Sequence, residues 1–360
     1  MKPAARARRL SQAMAAKTFL ERLDREARDL LLAVARPVSY DKGARLVRHG
    51  DPSRGAYILR DGAAEATVTL PGGEKLTVAK LEAGGVFGEM ALIERGTCTA
   101  TVSATEKLEG WFIERDDFRS LVAQRVPAAL RVQHALNLVL SDKVRQLNSK
   151  VLEVASAEDK PRKSGSEHDP DPLAKVKRLK HASFDHKAFL PHLPIFEGFD
   201  AAEIAEILDV SSLLELPRGH AVFAAGQPSA ACFIVVRGAV EIRSQHAKRE
   251  RRMAVLGPGQ LLGYMSALEK TMHGSDAVVR EAALLLEIPS EAFEKLYFGN
   301  TPASSKLHRV IQKSLLSSLG QTNRHLTRLI SQARLRGADK EGNELEKAYG
   351  GQIIAAALGG

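Results

Sequence analysis

One segment in the first half of the chain combines residue types that suit anion binding. It runs from Val86 to Val102 and has the sequence Val-Phe-Gly-Glu-Met-Ala-Leu-Ile-Glu-Arg-Gly-Thr-Cys-Thr-Ala-Thr-Val. Gly88 and Glu89 are predicted to open one helical turn, whose first backbone N–H groups lack partners within the helix and suit a phosphate. The Glu89 carboxylate could also cap this turn, because a negative charge is favourable at the start of a helix. The segment indicates ligand binding and gives no sign of a bond-making reaction.

The same pattern occurs twice in the chain. In each half, glycines lie seven and then twelve residues apart, and a further glycine follows about 25 residues later, before a short apolar stretch. Glycines at fixed spacing between β-prone runs indicate turns at fixed places, where the backbone needs a positive φ or a close approach. The matched glycines are Gly43, Gly50, Gly62 and Gly88 in the first copy and Gly219, Gly226, Gly238 and Gly263 in the second. We infer an internal duplication.

Each copy consists of short strand-like runs flanked by helices. Many short strands separated by turns predict a β-sandwich or barrel, and the helical stretches have apolar residues at helical spacing. The predicted strands are 44–47, 56–59, 63–70, 75–81, 221–224, 232–236, 239–243 and 252–256, with a glycine turn after 67–70. The predicted helices are 19–34, 127–151 and 303–335. The fold class is therefore α+β, mainly β, with two tandem jelly-roll-like β-rolls.

The predicted domain boundaries follow from changes in composition. Residues 155–175 are charged, contain several prolines and have almost no aliphatic side chains, which is typical of a solvated linker. The predicted segments are a basic extension at 1–18, domain 1 at 19–153, a linker at 154–188, domain 2 at 189–335 and a glycine-rich tail at 336–360.

Composition excludes several classes of protein. The 360 residues are 44% apolar and 26% charged, as in ordinary globular proteins. No apolar run approaches the ~20 residues that span a bilayer, and Cys98 and Cys232 cannot form a disulfide framework or a structural zinc site. We therefore expect a cytoplasmic protein with no metal and no cofactor. Nucleotide-loop, nucleophile-elbow, zinc-protease and dinucleotide motifs are missing from the sequence, so no enzymatic activity is predicted.

The 86–102 segment resembles the phosphate-binding cassette of the cyclic-nucleotide-binding domain family, which includes catabolite activator proteins and the regulatory subunit of protein kinase A. The resemblance implies that Glu89 binds the ribose 2′-hydroxyl and that Thr99 is the small residue beside the cyclic phosphate. The arginine that pairs with this phosphate in the family is replaced by Cys98, with Arg95 as a possible substitute. A neutral thiol cannot replace a bidentate guanidinium. The candidate ligand residues of domain 1 are Gly88, Glu89, Met90, Ala91, Arg95, Cys98, Thr99 and Ala100.

The second copy departs further from the family pattern. Tyr264 stands where the cassette glutamate belongs, and the arginine position falls at His273 or Gly274, depending on a one-residue loop offset. Ser275 is matched to the small residue beside the phosphate. The candidate ligand residues of domain 2 are Gly263, Tyr264, Met265, His273 and Ser275. We expect this copy to bind no cyclic nucleotide.

The resemblance implies a non-enzymatic regulatory sensor or adaptor, in which domain 1 binds cAMP, cGMP or a related ligand weakly and an unidentified protein is the partner. One alternative is a catabolite-activator-type transcription regulator, although no helix-turn-helix is evident. The other is a kinase regulatory subunit, because Arg6–Ser11 resembles the sequence with which such subunits dock on their kinase. A solvated terminus is the simpler interpretation of that basic stretch. No specific nucleic acid and no membrane are expected as partners, and the long helices could form a homodimer.

Overall fold

The computed structural model describes residues 19–69, 75–93, 95–158, 172–179, 186–246 and 249–335. The chain divides into two compact units. One contains the residues up to Leu147 and those from Leu315 onward, and the other is Asn148–Ser314. Their β-rolls are called domain 1 and domain 2 below, and each is described by itself. The basic extension, the turn after Thr69 and the glycine-rich tail lie outside the described residues.

Domain 1 is built from eight short strands with helices before, within and after them. The strands are β1 (Arg36–Tyr40), β2 (Arg45–Val47), β3 (Gly55–Asp61), β4 (Ala64–Thr69), β5 (Lys75–Leu81), β6 (Val86–Phe87), β7 (Thr101–Ala104) and β8 (Leu108–Glu114). The helices are α1 (Arg25–Val34), α2 (Glu89–Ile93), α3 (Arg115–Ala123) and α4 (Pro127–Glu158). The predicted strands are confirmed to within one or two residues.

The strands of domain 1 form two antiparallel four-stranded sheets. Their orders are β1-β8-β3-β6 and β2-β7-β4-β5. One apolar cluster lies inside the roll and includes Leu59, Phe87 and Val102, and a second packs helices against the first sheet and includes Leu31 and Leu136. The expected two-layer β-roll is therefore present in the first copy.

The first predicted helix, 19–34, is wrong in its N-terminal part. Residues Leu20–Arg22 form a single 3-10 turn, and Leu23 is extended. The Asp24 side chain then accepts a hydrogen bond from the Ala27 backbone N at 2.8 Å and so caps α1, which starts at the next residue. An N-cap side chain satisfies a backbone donor that would otherwise be orphaned, so it starts a new helix here rather than continuing the old one.

Domain 2 has the same order of elements, with longer strands. The strands are β9 (Arg178–Leu179), β10 (Ser212–Leu216), β11 (Ala221–Phe223), β12 (Ala231–His246), β13 (Arg249–Leu256), β14 (Leu261–Leu262) and β15 (Asp276–Pro289). The helices are α5 (His186–Phe189), α6 (Ala201–Asp209), α7 (Tyr264–Glu269), α8 (Ser290–Phe298) and α9 (Pro302–Leu335). The sheet order is β13-β12-β15-β10-β9, with β11 on β15 and β14 on β12.

Two strands predicted separately, 232–236 and 239–243, are one continuous strand, β12. The chain passes through Gly238 at φ 84°, and the pairing with β15 shifts register on both sides of it. A β-bulge at a glycine bends a strand without ending it, so β12 takes the place of both β3 and β4. The glycine at this position predicts a break in the strand, but in the structure the strand bends there and continues.

The predicted linker, 154–188, is wrong at both ends of its described part. Helix α4 continues to Glu158 instead of ending near residue 151. In β9, Leu179 pairs with Leu213, and the Arg178 guanidinium forms a bidentate ion pair with the Glu287 carboxylate at 2.7 and 2.9 Å. Leu173 is buried in the core of domain 2. A few apolar residues in a polar stretch are enough to dock it on a sheet edge.

Each of the two long helices forms an ion pair with the start of an earlier helix of its own domain. Four residues after its first proline, each has a cation: Arg131 in α4 and Lys306 in α9. Arg131 pairs with Asp24 at 2.7 Å, and Lys306 pairs with Glu203 of α6 at 2.5 Å.

None of the helices among the described residues combines the length and apolar character needed to cross a membrane.

Candidate functional site

The cassette of domain 1 begins at a glycine that no other residue could replace without strain. Gly88 links β6 to α2 with φ 72°, and a Cβ added there would lie 2.7 Å from the backbone oxygen of Gly55. Because both the positive φ and the close approach to β3 exclude a side chain, the backbone turns sharply at this point. The turn brings Glu89, the first residue of α2, into the interior of the domain.

The Glu89 carboxylate is buried and forms an ion pair with an amine from the long helix. Its side chain is 7% exposed, and Oε1 accepts a hydrogen bond from Nζ of Lys143 in α4, whose side chain is 45% exposed. A buried carboxylate is costly unless it is paired, and the Lys143 amine supplies the opposite charge. The cassette is thereby connected directly to α4.

Backbone hydrogen bonds join the far end of the cassette to the turn between β2 and β3. The Gly50 backbone N donates to the Cys98 oxygen at 2.8 Å, and the Cys98 N donates to the Asp51 oxygen at 2.7 Å. The Ser53 N donates to the Gly96 oxygen at 2.9 Å. The backbone position of Cys98 is therefore fixed by two backbone hydrogen bonds, which do not involve its thiol.

The candidate residues at this end of the cassette differ in exposure. Ala100 is buried, Thr99 and Cys98 are half-buried, and Arg95 is exposed. Burial raises the pKa of the Cys98 thiol, and the neighbouring Asp51 carboxylate raises it further. Cys98 is therefore a neutral thiol at physiological pH and not a reactive thiolate.

The interior of the roll beside the cassette is lined by aromatic rings and small residues. The Tyr57 ring stacks on that of Phe87, with centroids 4.8 Å apart and planes 6° from parallel. Ala91 is buried, and Met90 is half-buried. Burial is the largest cause of a strongly raised pKa of the Tyr57 hydroxyl, and its hydrogen bond with Tyr40 adds to it. The ring is therefore a neutral, apolar surface.

The cassette of domain 2 contains aromatic rings in place of the paired carboxylate. Tyr264 is the first residue of α7, is 5% exposed and follows Gly263, which has φ 76°. The His273 ring is 5% exposed and stacks on Phe223 with centroids 3.8 Å apart and planes 9° from parallel. A Cβ added to Gly263 would lie 3.4 Å from both rings. Met265 and Ser275 are half-buried.

Hydrogen bonds fix which residue of domain 2 corresponds to Cys98. The Gly226 N donates to the His273 oxygen at 2.8 Å, and the His273 N donates to the Gln227 oxygen at 2.8 Å, which repeats both backbone contacts of Cys98. His273, and not Gly274, therefore occupies this position. The sequence match of Ser275 to Thr99 was one residue out of register: Gly274 corresponds to Thr99, and Ser275 to Ala100. The loop lengths alone could not show this.

Two residues of these sites were not found from the sequence. Lys143 lies 54 residues after Glu89, and its helix gave only an apolar stripe. Phe223 belongs to a strand that was predicted, but nothing in its spacing indicated contact with His273. Both contacts depend on the tertiary fold.

The family model of the cyclic nucleotide-binding domain matches residues 37–125 and 213–300. These ranges include most of the strands of both β-rolls and both cassettes. The two domains of this chain therefore belong to the cyclic nucleotide-binding domain family, in tandem.

Several known proteins are similar to parts of the chain. Glutaminase 1 of Bradyrhizobium diazoefficiens is 35% identical over 138 residues, which are 38% of this chain and 22% of that protein. The CRP-like cAMP-activated global transcriptional regulator of Mycobacterium tuberculosis is 28% identical over 137 residues, 38% of this chain and 59% of the regulator. The chain thus spans less than two thirds of the length of either relative. The regulatory domain of Toxoplasma gondii PKA, crystallised with cAMP, is 16% identical, with 80% of this chain and 90% of that chain covered and a TM-score of 0.30.

Proposed function

We propose that the protein is a cytoplasmic, non-enzymatic regulatory sensor in which domain 1 binds a cyclic nucleotide and domain 2 binds none. The observation that carries this proposal is the difference between the two cassettes. Domain 1 presents a buried carboxylate, Glu89, in contact with a cation of the long helix, whereas domain 2 has Tyr264 at this position and the stacked rings of His273 and Phe223 beside it.

In domain 1, Glu89 accepts hydrogen bonds from the ribose hydroxyl of the ligand. This role follows from the family and from the burial of the carboxylate, since a charged acceptor in a dry site binds a hydroxyl more strongly than one in water. The cyclic phosphate lies toward Cys98 and Thr99. Without an arginine there, the affinity is lower than in a complete cassette by one charged hydrogen bond, which is about 1.5–3 kcal/mol.

The contact between Glu89 and Lys143 couples the ligand to the long helix. A ribose hydroxyl at Glu89 changes the number and geometry of the donors on this carboxylate, and Lys143 is the donor that α4 contributes. A ligand shifts a conformational equilibrium only by its different affinity for the two states, and the shared carboxylate provides such a difference. We expect α4 to transmit the signal to a protein partner, which includes a second copy of this chain.

In domain 2, the side chains of the domain itself replace the ligand. Tyr264 and His273 are each 5% exposed, and the buried Asp276 accepts from the Ala225 backbone N at 2.7 Å. A ligand would have to displace packed rings, and it would meet Tyr264 where domain 1 has the Glu89 carboxylate. We therefore propose that domain 2 is a packing or partner module.

Calorimetric titration of the full-length chain with cAMP and with cGMP tests this proposal. We expect one ligand per chain, loss of binding in Glu89→Gln, and unchanged binding in Tyr264→Phe, which alters the equivalent position of domain 2. Two ligands per chain, or loss of binding in Tyr264→Phe and not in Glu89→Gln, would contradict it.

A further inference from the structure

Three basic residues lie in the turn next to the end of the domain 1 cassette where the phosphate anchor is missing. Arg48, His49 and Arg54, called the cationic rim below, lie in the turn between β2 and β3 and are all exposed. This is the turn whose backbone is hydrogen-bonded to Gly96 and Cys98 of the cassette. The turn that contains the rim and the cassette loop are therefore adjacent.

Within the described part of the chain, neither arginine of the cationic rim has an acidic partner. The ion pairs of domain 1 involve other cations, such as Arg22, Arg60 and Arg131. The acid within this turn is Asp51, which is exposed and acts on the pKa of Cys98. Unpaired, exposed arginines beside a candidate ligand site are available to bind an anion.

The electrostatic surroundings of Tyr57 place Arg54 at the same end of the roll as Cys98. Burial is the main cause of the raised pKa of the Tyr57 hydroxyl, but Cys98 also raises this pKa and Arg54 lowers it. Both groups therefore lie close enough to the Tyr57 hydroxyl to act on its pKa.

Domain 2 has alanines at all three rim positions. The hydrogen bonds that align Gly50 with Gly226 and Cys98 with His273 also align Arg48 with Ala224, His49 with Ala225 and Arg54 with Ala230. Domain 2, whose cassette contains packed rings, has no charge at the rim positions. Domain 1, whose cassette has Glu89, has a basic residue at all three. The cations thus occur together with the ligand-binding features.

We infer that the cationic rim of domain 1 binds a second phosphate group, so that the preferred ligand is a nucleotide with two phosphates instead of a cyclic mononucleotide. The inference rests on the proposed function, because it concerns the same cassette. In domain 1 the positive charge is absent from the interior position, Cys98, and present on the rim. A single cyclic phosphate held beside Cys98 leaves both arginines unused, whereas a second phosphate at the opening forms charge-assisted hydrogen bonds with them.

The test is a titration of the full-length chain with three adenine nucleotides: cAMP, cyclic di-AMP and ADP. All three contain adenine and ribose; they differ in the number and linkage of the phosphates, and cyclic di-AMP also contains a second adenosine, so ADP is the comparison in which only the phosphates differ from cAMP. We expect cyclic di-AMP or ADP to bind at least about tenfold more tightly than cAMP, which corresponds to one charged contact. The better of the two shows whether the second phosphate is cyclic or terminal.

The rim variant is Arg48→Ala/Arg54→Ala, and the matched control is Lys42→Ala/Lys107→Ala, which removes the same charge from exposed turns of domain 1 outside the cassette and the rim. We expect the rim variant to lose the preference for two phosphates and keep its cAMP affinity, and the control to change neither. Preference retained in the rim variant would overturn the inference.

The outcomes also separate this inference from the proposed function. If cAMP binds in a manner that depends on Glu89, and neither two-phosphate nucleotide binds more tightly, the inference is wrong and the proposed function stands. If none of the three nucleotides binds to the unmodified chain, both are wrong.

Discussion

The two domains share a backbone but differ in what fills the cassette. Both turn through a glycine of positive φ into a short helix, and both return through a loop held by the same two backbone hydrogen bonds. Domain 1 has a buried carboxylate paired with a helix amine at this place, and domain 2 has stacked aromatic rings. The same cassette backbone therefore accommodates either an ion pair or packed rings.

This difference also appears in how the cassettes contribute to stability. In domain 2 the rings of His273 and Phe223 stabilise the site by themselves, as in any apolar core. In domain 1 the stability of the site depends on a charge pair, and a ligand can change the partners of such a pair. A site that its own side chains already stabilise gains less stability when a ligand binds.

The largest effect is expected at the glycines that bend both copies at the same place. At Gly62 and Gly238, which have φ 82° and 84°, an added Cβ would overlap the backbone oxygens of Lys107 and Ala282. We expect Gly62→Ala and Gly238→Ala each to destabilise their domain by about 3 kcal/mol or more, because strain and overlap add.

Domain-specific reporters are available for this comparison. Trp111 is the only tryptophan of the chain and lies in β8 of domain 1, so urea unfolding followed by its fluorescence reports domain 1 alone. Hydrogen exchange in β12 and β15 reports domain 2. The control is Gly43→Ala, where no atom lies within 4 Å of the added Cβ and only the positive φ costs, about 1 kcal/mol. Equal losses of stability in Gly43→Ala and Gly62→Ala would contradict the close approach of Gly62 to the Lys107 backbone.

Removal of the Lys143 amine should destabilise domain 1 by about 2 kcal/mol, because it leaves the Glu89 carboxylate buried and unpaired. The variant is Lys143→Met, and urea unfolding followed by Trp111 fluorescence measures the loss. Gln146→Met, at an exposed position of the same helix, is the matched control. Addition of Glu89→Gln should recover much of the loss, and a double variant as unstable as Lys143→Met would argue against the pair.

His273→Ala should destabilise domain 2 by about 1–2 kcal/mol through loss of the ring stack and its burial. Faster hydrogen exchange in β12 and β15 is the measurement. In domain 1 the equivalent change, Cys98→Ala, should cost less than about 1 kcal/mol because the thiol is small and half-buried. Equal losses of stability in His273→Ala and Cys98→Ala would contradict the difference between the two cassettes.

The smallest effect concerns thiol reactivity. Because burial and Asp51 raise the pKa of Cys98, its thiol stays protonated above the pH at which a free thiol ionises, and only the thiolate reacts. We expect slow alkylation by iodoacetamide at pH 8 and a rise at higher pH. Asp51→Asn should speed the reaction at pH 8. Cys232 is fully buried, and mass spectrometry distinguishes the two sites; rapid alkylation of Cys98 at neutral pH would be inconsistent with a raised pKa.

The sequence predicted the β-rolls because glycine spacing and short β-prone runs are local signals. The same signals placed the cassette and the first residue of α2, Glu89. They could not separate a strand break from a bend, and Gly238 was interpreted wrongly for that reason. They also could not show that the polar stretch around Arg178 docks on a sheet.

The partners of the site residues could not be predicted from local patterns. Lys143 reaches Glu89 only because α4 folds back over the roll, and the cationic rim faces the cassette only because of hydrogen bonds between distant loops. The correspondence of His273 with Cys98 also required the backbone contacts. Side-chain contacts across long sequence separations are determined by the tertiary fold, which a single sequence does not display.

Restoring the missing arginine in each copy tests the central claim most directly. Cys98→Arg and His273→Arg place the same guanidinium at equivalent positions of the full-length chain, and calorimetry measures the affinity of each variant for cAMP. If domain 1 keeps an open cassette and domain 2 is filled by its own rings, Cys98→Arg tightens binding by about tenfold or more and His273→Arg gives no gain. A gain from His273→Arg, or none from Cys98→Arg, would contradict the account.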